Sequence, residues 1–333
     1  MTNADLCVPI HLKRFFTEHL PHQRNCSLHT LWSYRDAMRL FLRHLQERKR
    51  VAPDDLTASA FSPENVLDFL NTLQESRKNS VRTRNTRLAA IRAFVRYLLW
   101  VEPILSSDLQ GVLAIPVKRT QRRELDFLTR EEMQAVLEAP DVETWSGKRD
   151  RILFEVMYNT GARVSEAAGA IVSDVKLRPG GTLRLRGKGR KERVLPLWKR
   201  TAKRLDKWIT ANRLREDQAL FANAQGVPIT RSGIEKRLRD AVRKAGKQCP
   251  SLRTKHVSPH TLRHTTAMHL LQSGVDLTVI AMWLGHESIE TTHIYMTADM
   301  QMKEKALKVL QPPAGGDFRF RPEAALLTFL ESL

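Results

Sequence analysis

The stretch Ser258-Pro259-His260-Thr261-Leu262-Arg263-His264 decides how this chain is read. Ser258 is an N-cap residue and Pro259 suits the first helical position, so the segment predicts a helix start. His260, Arg263 and His264 then fall at i, i+3 and i+4 and share one helix face. Leu262, Ala267, Leu270 and Leu271 go to the other side, and Gly274 to the helix end. A planar guanidinium can grip two phosphate oxygens, and an imidazole trades protons near neutral pH. Taken alone, H-x-x-R reads as a polar helix face at a domain surface.

Downstream, Asp276 is expected to cap a helix with Val279, Ile280 and Leu284 inward, ended by Gly285 just before His286. Ser288 would cap a last short helix reaching Tyr295. Upstream, Thr129-Arg130-Glu131-Glu132 is a capping box. The helix carrying Ile152, Leu153, Val156 and Met157 stops at Gly161, so Arg163 leaves a turn with its side chain able to reach a bound phosphate. Between 170 and 197 the period changes. Ile171-Val172 begins a candidate strand, and Leu183-Arg184-Leu185-Arg186 and Arg193-Val194-Leu195 alternate around Gly187-Lys188-Gly189-Arg190-Lys191. That is a hairpin with a glycine-rich basic tip.

Arg163, Lys188, His260, Arg263, His286 and Tyr295 thus form an ordered set of cations, imidazoles and one phenol, with no matching carboxylate pair. Such a set suits metal-free attack on a phosphodiester: cations neutralise the phosphate, and the phenol oxygen is the nucleophile. No cofactor and no metal is expected.

Composition points the same way. In 333 residues, 55 Lys+Arg against 36 Asp+Glu give a formal net charge of +19, which favours a polyanionic partner. No apolar run approaches the roughly 20 residues of a spanning helix, and the N-terminal residues do not read as a secretion signal. Cys7, Cys26 and Cys249 are far apart and form no C-x-x-C. A reduced, cytoplasmic protein that contacts no membrane is the expectation.

The first hundred residues read as helices. Thr30 is taken as the cap of one bearing Leu31, Tyr34, Met38, Phe41 and Leu45, and Ser62-Pro63 opens another. A third runs from about Val81 to Trp100. It buries Leu88, Ile91, Val95 and Leu98 and is expected to display Arg82, Arg84, Arg87, Arg92 and Arg96. A solvated charged face is the commoner reason for such a stripe. Arginine without interleaved acid favours a phosphate-facing surface, to which Arg190 and Lys191 of the hairpin tip are added. The division expected is 1–105, a basic linker 106–126, a catalytic domain 127–312, and a tail 313–333 that docks in cis or on a neighbouring subunit.

The chain resembles the tyrosine recombinase, or phage integrase, family, especially its Xer-like and integrase-like bacterial members. The segments that carry the likeness are Thr160-Gly161-Ala162-Arg163-Val164-Ser165-Glu166, Gly187-Lys188-Gly189, His260-Thr261-Leu262-Arg263-His264, Leu284-Gly285-His286 and Thr291-Thr292-His293-Ile294-Tyr295. The resemblance implies a mainly α protein. It would have an N-terminal helical, SAM-like core-binding domain and a mostly helical catalytic domain with a small antiparallel β-sheet. It makes Arg163 and Arg263 a phosphate clamp and Lys188 the general acid to the leaving 5′-oxygen. His260 would assist proton transfer, His286 would stabilise the transition state, and Tyr295 would form a 3′-phosphotyrosyl link. Glu166 matches a supporting acidic position, and Trp283 stands where relatives often carry a polar residue. The implied partners are double-stranded DNA with an inverted-repeat site and a homo- or hetero-tetramer on two duplexes. Two other readings share features of the set: a type IB topoisomerase-like relaxing enzyme, and a non-catalytic DNA-binding module.

Overall fold

A computed structural model describes residues 8–120, 126–178, 180–187 and 191–286, with the backbone alone at 105–108. Lys188, Arg190, Ser288, Tyr295 and the tail 313–333 lie outside the described residues. The chain divides into two compact units, Met1–Arg123 and Glu124–Leu333.

The first unit is helical among the described residues. Helix α1 (Val8–Arg14) runs into a π-helical stretch, Phe15–Gln23, followed by α2 (Leu28–Lys49), α3 (Pro63–Glu75), α4 (Val81–Val101) and α5 (Ser106–Ala114). Its core gathers Phe41, Phe61, Phe69 and Phe94 with Leu88, Ile91, Val95 and Leu98 of α4. Ser62 and Pro63 open α3 as the sequence predicts. The cap of α2 is Ser27 rather than Thr30: the Ser27 hydroxyl accepts the Thr30 N–H at 3.3 Å.

Two further expectations change here. Residues 106–114, read as the start of a linker, form α5, because Leu109, Val112 and Ile115 make an apolar face that enters the first core. A Cβ on Gly111 would meet the Pro63 ring at 2.6 Å, so glycine permits this close approach of α5 to α3. Arg84, expected on display, is 2% exposed. Its spacing to Leu88, Ile91, Val95 and Leu98 places it on the core stripe, and burial lowers its pKa, aided by the Arg92 charge.

Among the described residues of the second unit the α-helices are α6 (Arg130–Glu138), α7 (Trp145–Thr160), α8 (Val164–Ala168), α9 (Lys199–Ala211), α10 (Arg231–Ala245), α11 (Pro259–Gln272) and α12 (Leu277–Leu284). The capping box at Thr129 and Glu132 opens α6. A three-stranded antiparallel sheet, β1 (Val175–Lys176), β2 (Thr182–Arg186) and β3 (Glu192–Pro196), lies in the order β1-β2-β3. Register pairs Leu183 with Leu195 and Leu185 with Arg193. The candidate strand at Ile171-Val172 is instead a single bridge from Ile171 to Ala219 followed by a 3-10 turn. The Asp174 carboxylate accepts the Ile171 N–H at 3.1 Å and closes that turn.

Helix α11 is buried on almost every side. Thr261, Arg263, Thr265, Thr266 and His269 are covered along with Leu262, Ala267 and Leu271. The apolar-versus-polar division expected of it does not hold. On α12, Ile280 and Leu284 point inward, whereas Val279 is 47% exposed. That helix is apolar at nearly every position, so its sequence carries no period that separates inside from outside.

Candidate active site

Three arginines from three elements meet the last turn of α12. Arg193 of β3 donates from Nε to the Trp283 carbonyl at 2.9 Å. Arg263 of α11 donates from Nη2 to the Leu284 carbonyl at 2.7 Å. Arg163, the residue before α8, donates from Nη2 to the Gly285 carbonyl at 3.1 Å. These successive C-terminal carbonyls have no partner within their own helix, and they carry the negative end of its dipole. His286 follows directly, with its backbone N–H on the Ala281 carbonyl at 3.0 Å.

Backbone geometry explains how three elements converge. Gly161 ends α7 at φ +62° and Gly285 ends α12 at φ +66°, both left-handed turns. A Cβ on Gly161 would stand 2.4 Å from the Leu284 side chain, so the glycine also lets the two helix ends close together. Arg263 ties both ends: its Nη1 donates to the Gly161 carbonyl at 2.6 Å.

Glu166 lies beneath the arginines. Its Oε2 accepts the Arg163 backbone N–H at 2.8 Å and its Oε1 accepts Arg163 Nη1 at 2.9 Å. Arg193 lays its fork on the same carboxylate, Nη1 to Oε1 at 2.9 Å and Nη2 to Oε2 at 2.8 Å. Burial alone would raise the Glu166 carboxyl. The Arg193 fork and its charge, with the Arg163 bonds, outweigh that and hold it below the usual carboxylate range. The Glu166 side chain is only 1% exposed, while Arg163 keeps 32% of its side chain in the open.

The imidazoles are set by the same charges. Burial, then Arg263 and Arg163, then His264 and Arg193 lower His286 to about 4. Burial, His260 and Arg263 lower His264 to about 4. Both are neutral at pH 7. A neutral imidazole offers one N–H and one lone pair, so it can donate to an anion without adding charge. His260 sits exposed on the first turn of α11, its ring 6.2 Å from that of His264.

Of the six residues singled out in the sequence, Arg163, Arg263 and His286 are therefore together, with His260 one turn from Arg263 on α11. Lys188 and Tyr295 are outside the described residues. The hairpin mouth beside Lys188 is within them: Gly187 N–H donates to the Lys191 carbonyl at 2.7 Å. A Cβ on Gly187 would stand 3.2 Å from Glu166 Oε1. Lys191 is exposed, as are Arg82 and Arg96 of α4. Arg87 instead donates to the Ser33 carbonyl at 3.1 Å, and Arg92 to that of Val112 at 3.4 Å.

Arg193 is the residue that sequence reasoning missed. The signal was strand parity: Arg193 shares a face with buried Leu195, and Val194 between them is outward. Among the described residues no three His, Cys, Asp or Glu side chains form a group able to hold a metal, and no helix is long and apolar enough to cross a membrane.

Comparison with known proteins places this chain in a family. Residues 126–302 match the phage integrase family, and residues 13–102 match the phage integrase N-terminal SAM-like domain. A Sinorhizobium fredii protein named as an integrase/recombinase, y4rC, is 44% identical over 333 residues, covering 100% of both chains. Tyrosine recombinase XerC of Pelobacter propionicus is 35% identical over 299 residues, 88% of this chain and 94% of its own. The solved XerH site-specific recombinase bound to its difH substrate superposes with a TM-score of 0.65 at 24% identity, over 89% of this chain and 84% of that one, which establishes a shared fold. The chain belongs to the phage integrase family, whose members are tyrosine-type enzymes that cut and rejoin DNA.

Proposed function

We propose that this chain is a site-specific recombinase of the integrase or transposon type, working in the cytoplasm through a 3′-phosphotyrosyl intermediate. The observation that carries the reading is the meeting of Arg163, Arg263 and neutral His286 at one helix end. Cations held in a fixed frame stabilise charge as it develops on phosphate, with no reorganisation during reaction. Arg163, a third exposed and braced by Glu166, supplies one side of the clamp and Arg263 the other. The His286 N–H donates to a non-bridging oxygen.

In this reading Tyr295 Oη attacks phosphorus and the bond to the 5′-oxygen breaks. Lys188 gives that oxygen its proton, and His260 assists proton transfer from the phenol. The phosphotyrosyl bond conserves the energy of the phosphodiester. A 5′-hydroxyl from a partner strand then reverses the step, so neither ATP nor metal is consumed. Exchange between two duplexes needs four such cuts, hence four protomers on paired sites with inverted repeats. Exposed Arg82, Arg96 and Lys191 contribute phosphate contacts.

The Tyr295→Phe variant tests this. It keeps the ring and removes the attacking oxygen. Normal DNA binding with no covalent adduct on a nicked suicide substrate is expected. An adduct at wild-type yield contradicts the assignment.

A further inference from the structure

Arg193 makes three side-chain hydrogen bonds within the site's frame. Its fork lies on both oxygens of Glu166, and its third nitrogen reaches the Trp283 carbonyl. Its side chain is 12% exposed. A Cβ on Gly285 would stand 3.2 Å from Arg193 Cδ, so the side chain packs against the turn that leads into His286. On that side Arg193 touches the His286 turn. Through Glu166 it reaches Arg163.

Its own strand supplies another link. Arg193 pairs with Leu185, and the β2–β3 ladder closes at Arg186 and Glu192. The chain then passes Gly187, where a Cβ would lie 3.2 Å from Glu166 Oε1 and 3.9 Å from Arg163 Nη1. Gly187 thus leaves the sheet beside Arg163, and Lys188 is the next residue in the sequence. One guanidinium therefore joins the strand that ends the Lys188 hairpin, the carboxylate under Arg163 and the turn before His286.

We infer that Arg193 is a positioning residue: it fixes the Lys188 hairpin and the His286 turn in one register against Arg163, with Glu166 as the common anchor. The inference rests on the reading of Lys188 as the acid. A guanidinium fork on a carboxylate has one planar geometry, whereas an ammonium pairs as a point charge and aligns nothing. Alignment matters because a displacement of about 1 Å at a reacting group costs about 100-fold in rate.

The test uses the full chain with Arg193→Lys, which keeps the charge and removes the fork. Half-site DNA affinity and single-turnover cleavage are measured on two suicide substrates, one with the ordinary 5′-oxygen and one with a 5′-bridging sulfur that leaves without a proton. Affinity within about twofold of wild type, about 100-fold slower cleavage of the oxygen substrate and at most about 10-fold slower cleavage of the sulfur substrate are expected. A purely structural role lowers both substrates by one factor. That equal loss, or wild-type rates on both, overturns the assignment. If Arg193→Lys does not fold, Arg193→Gln is used, which removes the fork and leaves Glu166 paired with Arg163. The same oxygen-over-sulfur ratio is then required of it. A wild-type protein that forms no adduct on the sulfur substrate overturns the reading of the reaction itself, and the Arg193 assignment with it.

Discussion

Arg87 on α4 and Arg163 at the start of α8 are both half-buried arginines, yet they are held differently. Arg87 donates to a backbone carbonyl, and no α4 arginine has a carboxylate within ion-pair distance among the described residues. In the second unit, four buried carboxylates among the described residues each take two arginines, while a fifth, Glu132, takes Lys255. Asp150 holds Arg149 and Arg237, Glu155 holds Arg200 and Arg204, Asp174 holds Arg184 and Arg186, and Glu166 holds Arg163 and Arg193. The difference separates two uses of one residue type. Arginine without an acid keeps its charge for a polyanion and is screened by salt. Arginine on a buried acid gives up charge for a fixed position.

The largest effect expected from this contrast is at Glu166. Glu166→Ala leaves Arg193 without its partner in a covered site, and removing one member of a buried pair costs about 3 kcal/mol or more. Urea unfolding measures it, and a loss below about 1 kcal/mol breaks the claim that the acid organises the site.

The next effect is in pH. An unfolded histidine titrates near 6.5, and His286 and His264 in the folded chain are lowered to about 4. Between those values the unfolded chain binds more protons, so stability is full above pH 6.5 and falls as pH drops towards 4. The urea midpoint of wild type should fall between pH 7 and pH 5, and His286→Asn should flatten that fall. An unchanged slope in the variant places the burden on other groups.

The smallest effect on stability belongs to the first unit. Arg82→Ala with Arg96→Ala removes two exposed cations and should change folding free energy by no more than about 0.5 kcal/mol. DNA affinity should drop, and the salt slope should shrink by about 1 for each phosphate that the variant no longer neutralises. A large stability loss with an unchanged slope would erase the distinction between the two kinds of arginine.

Much of this architecture was legible from local chemistry. Ser62-Pro63, Thr129 with Glu132, Ser258-Pro259, Gly161 and Gly285 act at the ends of their own helices, and such signals sit within a few residues of what they control. Arg84 defies its charge because spacing decides its place: it falls on the stripe of Leu88, Ile91, Val95 and Leu98. Helix α5 was hidden by the loop-like glycine and proline around Leu109 and Val112. For the candidate site, the sequence pointed to Arg163, Arg263 and His286 but not to the frame that brings them together. That Arg163, Arg193 and Arg263 share three successive carbonyls depends on backbone atoms brought from 122, 90 and 21 residues away. Carbonyls have no sequence signature.

The proposed reaction is metal-free transfer of a DNA 3′-phosphate to Tyr295. The most direct test incubates wild-type protein with a nicked suicide substrate in excess chelator, digests the covalent product, and maps the modified peptide and the DNA end by mass spectrometry. A 3′-phosphate joined to Tyr295, formed as fast with chelator as without, is the result expected. Attachment at another residue, linkage to a 5′-phosphate, or cleavage that stops in EDTA and returns with magnesium would contradict it.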